Sequence, residues 1–335
     1  MKEKNILSNK KIIFNYNYAV NYIMHIFALS NIIQNTQYAQ KYRSTIQLKD
    51  LEYLQTHKSL LEFVNGRCGN FTFICFFLPS YLDLKTKYDF VEYYSLFIDG
   101  LKERDFSKFL KKYSFDWKDP FLSRNYKKFF FEISNIKLGK EKEVEIFISQ
   151  LNKLSRIFIN NIDGYNKIWE KVEKVLQERI KELNYLTNYF NKNNIIQKWE
   201  EITGKTFIKD NYHILLCYTN KNGPNANSLS YDKNVFYYNS SDKYLRDFVS
   251  HEIGTHLLYE LFYSEVFDPI RYAAVECFAM FLNFKVLKSK KLNYNLSSSF
   301  HCDKFLNLYK KHYYKGITHE KLIEIALNEI KNHKI

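Results

Sequence analysis

Residues 251–256 read His-Glu-Ile-Gly-Thr-His, with His251 and His256 enclosing the carboxylate of Glu252. Neutral imidazoles bind divalent zinc, and a neighbouring carboxylate can accept a proton from a metal-bound water, so these residue types point to hydrolysis. In the ordinary zinc-protease helix the histidines are four apart and share a face. Here they are five apart, which on an ideal α-helix separates them by about 140°, too far to share one ion. The spacing therefore predicts a π-type bulge, and Gly254, lying between the histidines without a side chain, is the residue expected to permit it. By chance the pattern arises in on the order of 1–2% of chains this rich in histidine, so its context has to carry the rest.

A catalytic zinc needs a third protein ligand, usually from the next helix. Residues 271–281 read as a mostly apolar helix with one carboxylate, Glu276, in its middle. A buried lone carboxylate is costly, so Glu276 needs a cationic partner, and zinc and Arg271 are the two on offer. The residues thus allow one Zn2+ per chain with His251 and His256 as ligands and Glu252 as general base, and with Glu276 either the third ligand or the ion-pair partner of Arg271. Glu260, four residues beyond His256, is a reserve ligand. His213, His301, His312 and His319 have no partner at ligand spacing. Neither Cys277, beside Glu276, nor Cys302, beside His301, makes a cysteine nucleophile.

The hexapeptide resembles the signature of the microtubule-associated tyrosine carboxypeptidase family and its bacterial relatives, known for a Q-E-G-L-A motif. Glu276-Cys277-Phe278-Ala279 matches E-G-L-A at its first and last positions, with Cys277 and Phe278 in place of Gly and Leu. The resemblance runs over residues 209–284. It implies a zincin-like catalytic region in which His251, His256 and Glu276 bind zinc and Glu252 is the base, acting on the C-terminus of a peptide or protein. A carboxypeptidase also needs a cation for the terminal carboxylate, and Arg271 and Arg246 are the nearest choices. Residues 228–231 or 235–238 could align an extended peptide by strand addition.

The motif needs a helix to carry it. Ser240, Ser241 and Asp242 supply a cap and first-turn acidity for a helix over about 243–263. Ahead of it, 213–219 and 235–238 read as strands, and 220–227, with Gly223 and Pro224, as a turn. Residues 1 to about 200 read as helical, with three- and four-residue apolar spacing over 144–158 and 168–189. Trp169, Val172, Val175, Ile180, Leu183 and Leu186 form a stripe in the second segment. The expected architecture is α+β and mostly helical, divided into a helical region 1–203 and a catalytic region 204–335.

Composition narrows the classes. With 46% hydrophobic residues, 18% aromatic residues, 9 Gly and 4 Pro, the 335-residue chain can bury a core and is neither collagen-like nor linker-like. Five cysteines, an odd number without a C-x-x-C pair, argue against a disulfide framework and for a reducing compartment, the cytoplasm. The apolar stretch 12–33 is interrupted by Asn15, Asn17, Asn21 and His25, so it lacks a signal-peptide core. The run 71–78 is too short to span a membrane. The net charge of +14 is concentrated in residues 1–200, which hold 32 basic against 22 acidic residues. Such an excess suits an acidic partner, although no specific nucleic-acid motif is present. Two alternatives to a carboxypeptidase follow: a zinc endopeptidase or other zinc hydrolase, and a basic helical binding protein whose metal site is structural or inactive.

Overall fold

The structure is a computed structural model that describes residues 10–64, 67–134, 141–219, 226–262, 268–314 and 316–332. It is mostly helical with a small mixed sheet, as expected for the α+β class. The strands are β1 (Lys11–Asn15), β2 (Phe63–Val64), β3 (Arg67–Cys68), β4 (Asn211–Cys217), β5 (Asn227–Ser230) and β6 (Lys233–Tyr237). β2 and β3 form a separate two-stranded hairpin, and the other four pair in the order β1-β4-β6-β5. β4 runs parallel to β6 with Leu215 opposite Val235, and β5 returns antiparallel to β6. Most of the turn expected at 220–227 lies outside the described residues.

The chain forms two compact units that are interleaved in sequence, whereas one boundary was expected at 203/204. One unit comprises the described residues of Phe14–Glu182 and His213–Asn239, the other those of Met1–Ile13, Leu183–Tyr212 and Ser240–Ile335. The helix expected over 168–189 is correspondingly two, Ile162–Glu182 and Asn184–Lys192, with the break at Leu183. Apolar spacing alone could not show that break, because Leu183 and Leu186 continue the buried stripe across it.

The first unit is built around the helix Tyr18–Leu29, in which every residue is buried. Polar residues inside such a helix must find partners, because an unsatisfied buried polar group costs about 1–3 kcal/mol. Asn17 caps the helix by accepting from the Val20 amide (2.8 Å). Asn21 donates to the Leu216 carbonyl (3.1 Å) and accepts from the Tyr218 amide (2.8 Å), tying the helix to the end of β4. His25 lies between the Tyr38 hydroxyl (2.7 Å) and Thr45 Oγ1 (2.8 Å). The interruptions that spoil a signal-peptide reading are thus the tethers of a core helix.

Burial pushes the His25 imidazole down to about 3. An unfolded histidine titrates near 6.5, so between the two values the unfolded chain binds the proton that the folded one refuses. Stability is then full above about pH 6.5 and is lost as the pH falls, at roughly 1.4 kcal/mol per pH unit. Urea denaturation at pH 7 and pH 5 should show a fall in stability about 2 kcal/mol smaller in His25→Gln than in the wild type. Equal falls would contradict the burial of a neutral imidazole.

Among the described residues, the strands where peptide alignment was expected already carry partners. β6 is paired on both sides, by β4 and β5. On β5 the Leu229 carbonyl accepts from the Tyr126 hydroxyl (2.8 Å), and the Tyr231 amide just beyond donates to Asp119 Oδ2 (3.2 Å). At the opposite edge Asn191 accepts from the Ile12 amide at 2.9 Å. Strand addition at 228–231 or 235–238 is therefore set aside.

Candidate functional site

The motif lies wholly in the second unit, on the helix Asp242–Leu257. Ser241 caps it by accepting from the Tyr244 amide, and Asp242 supplies first-turn acidity. The helix stays α-helical to Leu257, and the Leu258 amide closes an ordinary turn on the Gly254 carbonyl (2.9 Å). A short 3-10 turn, Tyr259–Phe262, follows. The expected π-bulge is absent.

Gly254 has a different physical reason. A Cβ at this position would fall 2.2 Å from Cη2 and 2.5 Å from Cζ2 and Cζ3 of Trp199, a contact no side chain can make. Trp199, on the helix Ile195–Thr203, is fully buried and needs the bare backbone at residue 254 to approach the motif helix this closely. Its indole Nε1 donates to Ser250 Oγ (3.0 Å), which donates to Asn283 Oδ1 (2.7 Å). Asn283, on the helix Pro269–Val286, donates back to the Asp247 carbonyl (2.7 Å). Three helices are thereby locked by one hydrogen-bonded chain. Replacing Asn283 by Leu should cost about 2–4 kcal/mol, because Ser250 and the Asp247 carbonyl lose a buried partner. Chemical denaturation checks this, and a loss below about 0.5 kcal/mol would contradict it.

His251 faces the helix Pro269–Val286. Its Nε2 lies 3.0 Å from Glu276 Oε2, with the histidine side chain fully buried and that of the glutamate 13% exposed. The imidazole packs against the rings of Phe248 (5.5 Å) and Tyr294 (5.1 Å), which also touch each other. Its Nδ1 is buried with no hydrogen-bond partner among the described residues. Tyr272, one turn before Glu276, hydrogen-bonds that carboxylate. The charge of Glu276, then burial, that hydrogen bond and the charge of Glu252 hold the Tyr272 hydroxyl well above its ordinary value. Tyr294 is raised by burial first, and again by Glu252 and Glu276. Two carboxylates, one imidazole and two protonated phenols therefore share a locale. Glu252 is half-buried, with Thr255 Oγ1 donating to its backbone carbonyl (2.9 Å).

The other expected residues are placed differently. His256 packs its ring against Tyr212 (5.5 Å), and on a regular helix it is about 140° around from His251. Among the described residues no group of three or more His, Cys, Asp or Glu could hold a metal ion. Arg271 donates to the Leu261 carbonyl (3.1 Å) and pairs with Glu324 (2.8 Å), so it is not the partner of Glu276. Arg246 pairs with the buried Asp247 (2.7 Å). Both candidate carboxylate anchors are thus already engaged. Glu260 pairs with Lys205 at 2.8 Å. His312 meets Glu329 (2.5 Å), His319 packs near Phe278 (5.2 Å) and His213 meets Asn15 (3.2 Å).

Cys277 and Cys302 form a disulfide, with Cα atoms 5.5 Å apart, while Cys75 and Cys217 are buried thiols outside it. The cysteine count argued the other way because pairing depends on distance in space, which parity and sequence spacing do not report. The argument for a reducing compartment falls with it. No described helix is long and apolar enough to cross a membrane.

The donor set matches zinc chemistry in two of its three expected members, since an imidazole nitrogen and a carboxylate oxygen converge from two helices. The third, His256, is not drawn to them by the helix geometry. Sequence reasoning missed Tyr272, Tyr294, Trp199 and Asn283. Only Tyr272 carried a signal, its four-residue spacing from Glu276. No protein-family model, curated protein or solved structure matches the chain.

Proposed function

We propose that the chain is a zinc-dependent peptidase of carboxypeptidase type, with His251, His256 and Glu276 as metal ligands and Glu252 as general base. One observation carries the reading. Glu276, singled out from sequence as the third ligand, meets His251 at 3.0 Å across 25 residues of chain and two helices. Zinc bound there would polarise a peptide carbonyl and lower the pKa of a bound water to about 7. Glu252 would take the proton of the attacking water and return it to the leaving amine. Tyr272 would hold the Glu276 carboxylate in one orientation by its hydrogen bond. His256 enters the ligand set only if the motif helix rearranges when metal binds.

A second reading is favoured by a specific observation, the regular helix that separates His256 from His251. In it the His251–Glu276 contact is an internal pair joining two helices, and the basic chain binds an acidic partner. Incubation with a library of peptides, with equimolar zinc and again with a chelator, tests both. Zinc-dependent loss of single C-terminal residues is the expected result. Internal cuts would make the chain a zinc endopeptidase, and no cleavage under either condition would leave the second reading.

A further inference from the structure

Cys277 directly follows Glu276 on the helix Pro269–Val286 and is fully buried, whereas Cys302 opens the helix Cys302–His312 and is partly exposed. Their disulfide closes a loop across a sequence separation of 25. The part of this loop between the helices has little regular structure, a single 3-10 turn at Ser298–Phe300. It nevertheless supplies walls of the candidate site. Tyr294 lies 5.1 Å from the His251 ring and 4.8 Å from that of Phe248. Asn293 donates through its backbone and side-chain amides to Asp247 Oδ2, at 2.8 and 2.6 Å. Phe300 packs edge-on against Tyr272 (5.8 Å), the residue bonded to Glu276.

A segment with so little backbone pairing is held by its side-chain contacts and by its ends. Fixing one end to the residue beside Glu276 removes much of the freedom it would have when open. We propose that the Cys277–Cys302 disulfide is a reducible latch that holds residues 287–301 against the His251–Glu276 pair. A dithiol reductant opens it. One thiolate of the reductant attacks Sγ of the more exposed Cys302, breaking the Sγ–Sγ bond and displacing the Cys277 thiolate, which takes up a proton. The second thiol of the reductant then resolves the mixed disulfide. Two electrons and two protons pass to the cysteine pair, and the reductant leaves as its own cyclic disulfide. Opening frees Tyr294 and Phe300 and so loosens the setting of His251 and Glu276. Only the consequence for metal binding rests on the zinc-peptidase reading.

The experiment uses the full chain untreated or reduced with dithiothreitol, read by cysteine alkylation under denaturing conditions, by hydrogen exchange and, after anaerobic removal of the zinc-chelating reductant, by zinc titration. Without reductant, Cys302 should resist alkylation. With it, both cysteines should react, the amides of 291–301 should exchange at least about tenfold faster, and zinc should bind about tenfold more weakly. Cys277→Ser/Cys302→Ser should reproduce the reduced form and ignore the reductant. Alkylation of Cys302 before reduction, or exchange unchanged by it, would overturn the latch. If neither form binds zinc while exchange responds as expected, the latch stands and the zinc reading falls.

Discussion

Replacing Gly254 by valine is expected to destabilise the second unit by about 3 kcal/mol or more, the upper range for overfilling a packed site. Helix propensity alone argues for the opposite sign, since a side chain in place of glycine within a helix gains up to about 1 kcal/mol. The clash wins, because a Cβ would sit 2.2 Å from a tryptophan ring that is itself pinned to Ser250. Gly254→Ala should therefore lose stability too. The companion variant Trp199→Leu should lose stability on its own by cavity formation, yet the two changes together should cost less than their sum. Denaturant unfolding of the four proteins measures the coupling. Additive losses, or an alanine variant as stable as the wild type, would show that Gly254 is not there for Trp199.

Replacing Glu252 by glutamine should leave the fold intact and, under the proposed function, reduce peptide hydrolysis by 10²-fold or more, the usual scale for a general base. Glutamine keeps the size of the half-buried side chain, and Thr255 still donates to the backbone carbonyl of residue 252. Zinc content should not change, because Glu252 is assigned no metal bond. Rate and bound metal have to be measured on the same preparation. Hydrolysis near the wild-type rate would remove Glu252 as base, while joint loss of zinc and activity would make it a ligand.

How far the sequence could be read depended on whether the deciding contact was local. The cap at Ser241, the motif helix, the helix around Glu276 and strands β4 and β6 follow from periodicity and turn chemistry, and they stand where expected. The meeting of His251 and Glu276 was legible for another reason: a lone carboxylate in an apolar helix demands a partner. Gly254 was misread because its neighbour, Trp199, is 55 residues away, and nothing near residue 254 announces it. Arg271 looked available for the same reason, since its partner Glu324 lies on a later segment, whereas Arg246 is engaged by its own neighbour Asp247. The interleaving of the two units and the Cys277–Cys302 bridge are likewise products of tertiary folding.

Zinc stoichiometry decides whether His251 and Glu276 belong to a metal centre. Wild-type chain and the variants His251→Ala, Glu276→Ala and His256→Ala are dialysed against trace zinc and assayed by elemental analysis, with helicity checked by circular dichroism. The expected result is about one zinc per folded wild-type chain and under about a tenth of that in each variant. A folded wild-type chain that takes up no zinc, or His251→Ala and Glu276→Ala chains that hold as much as the wild type, would contradict the account.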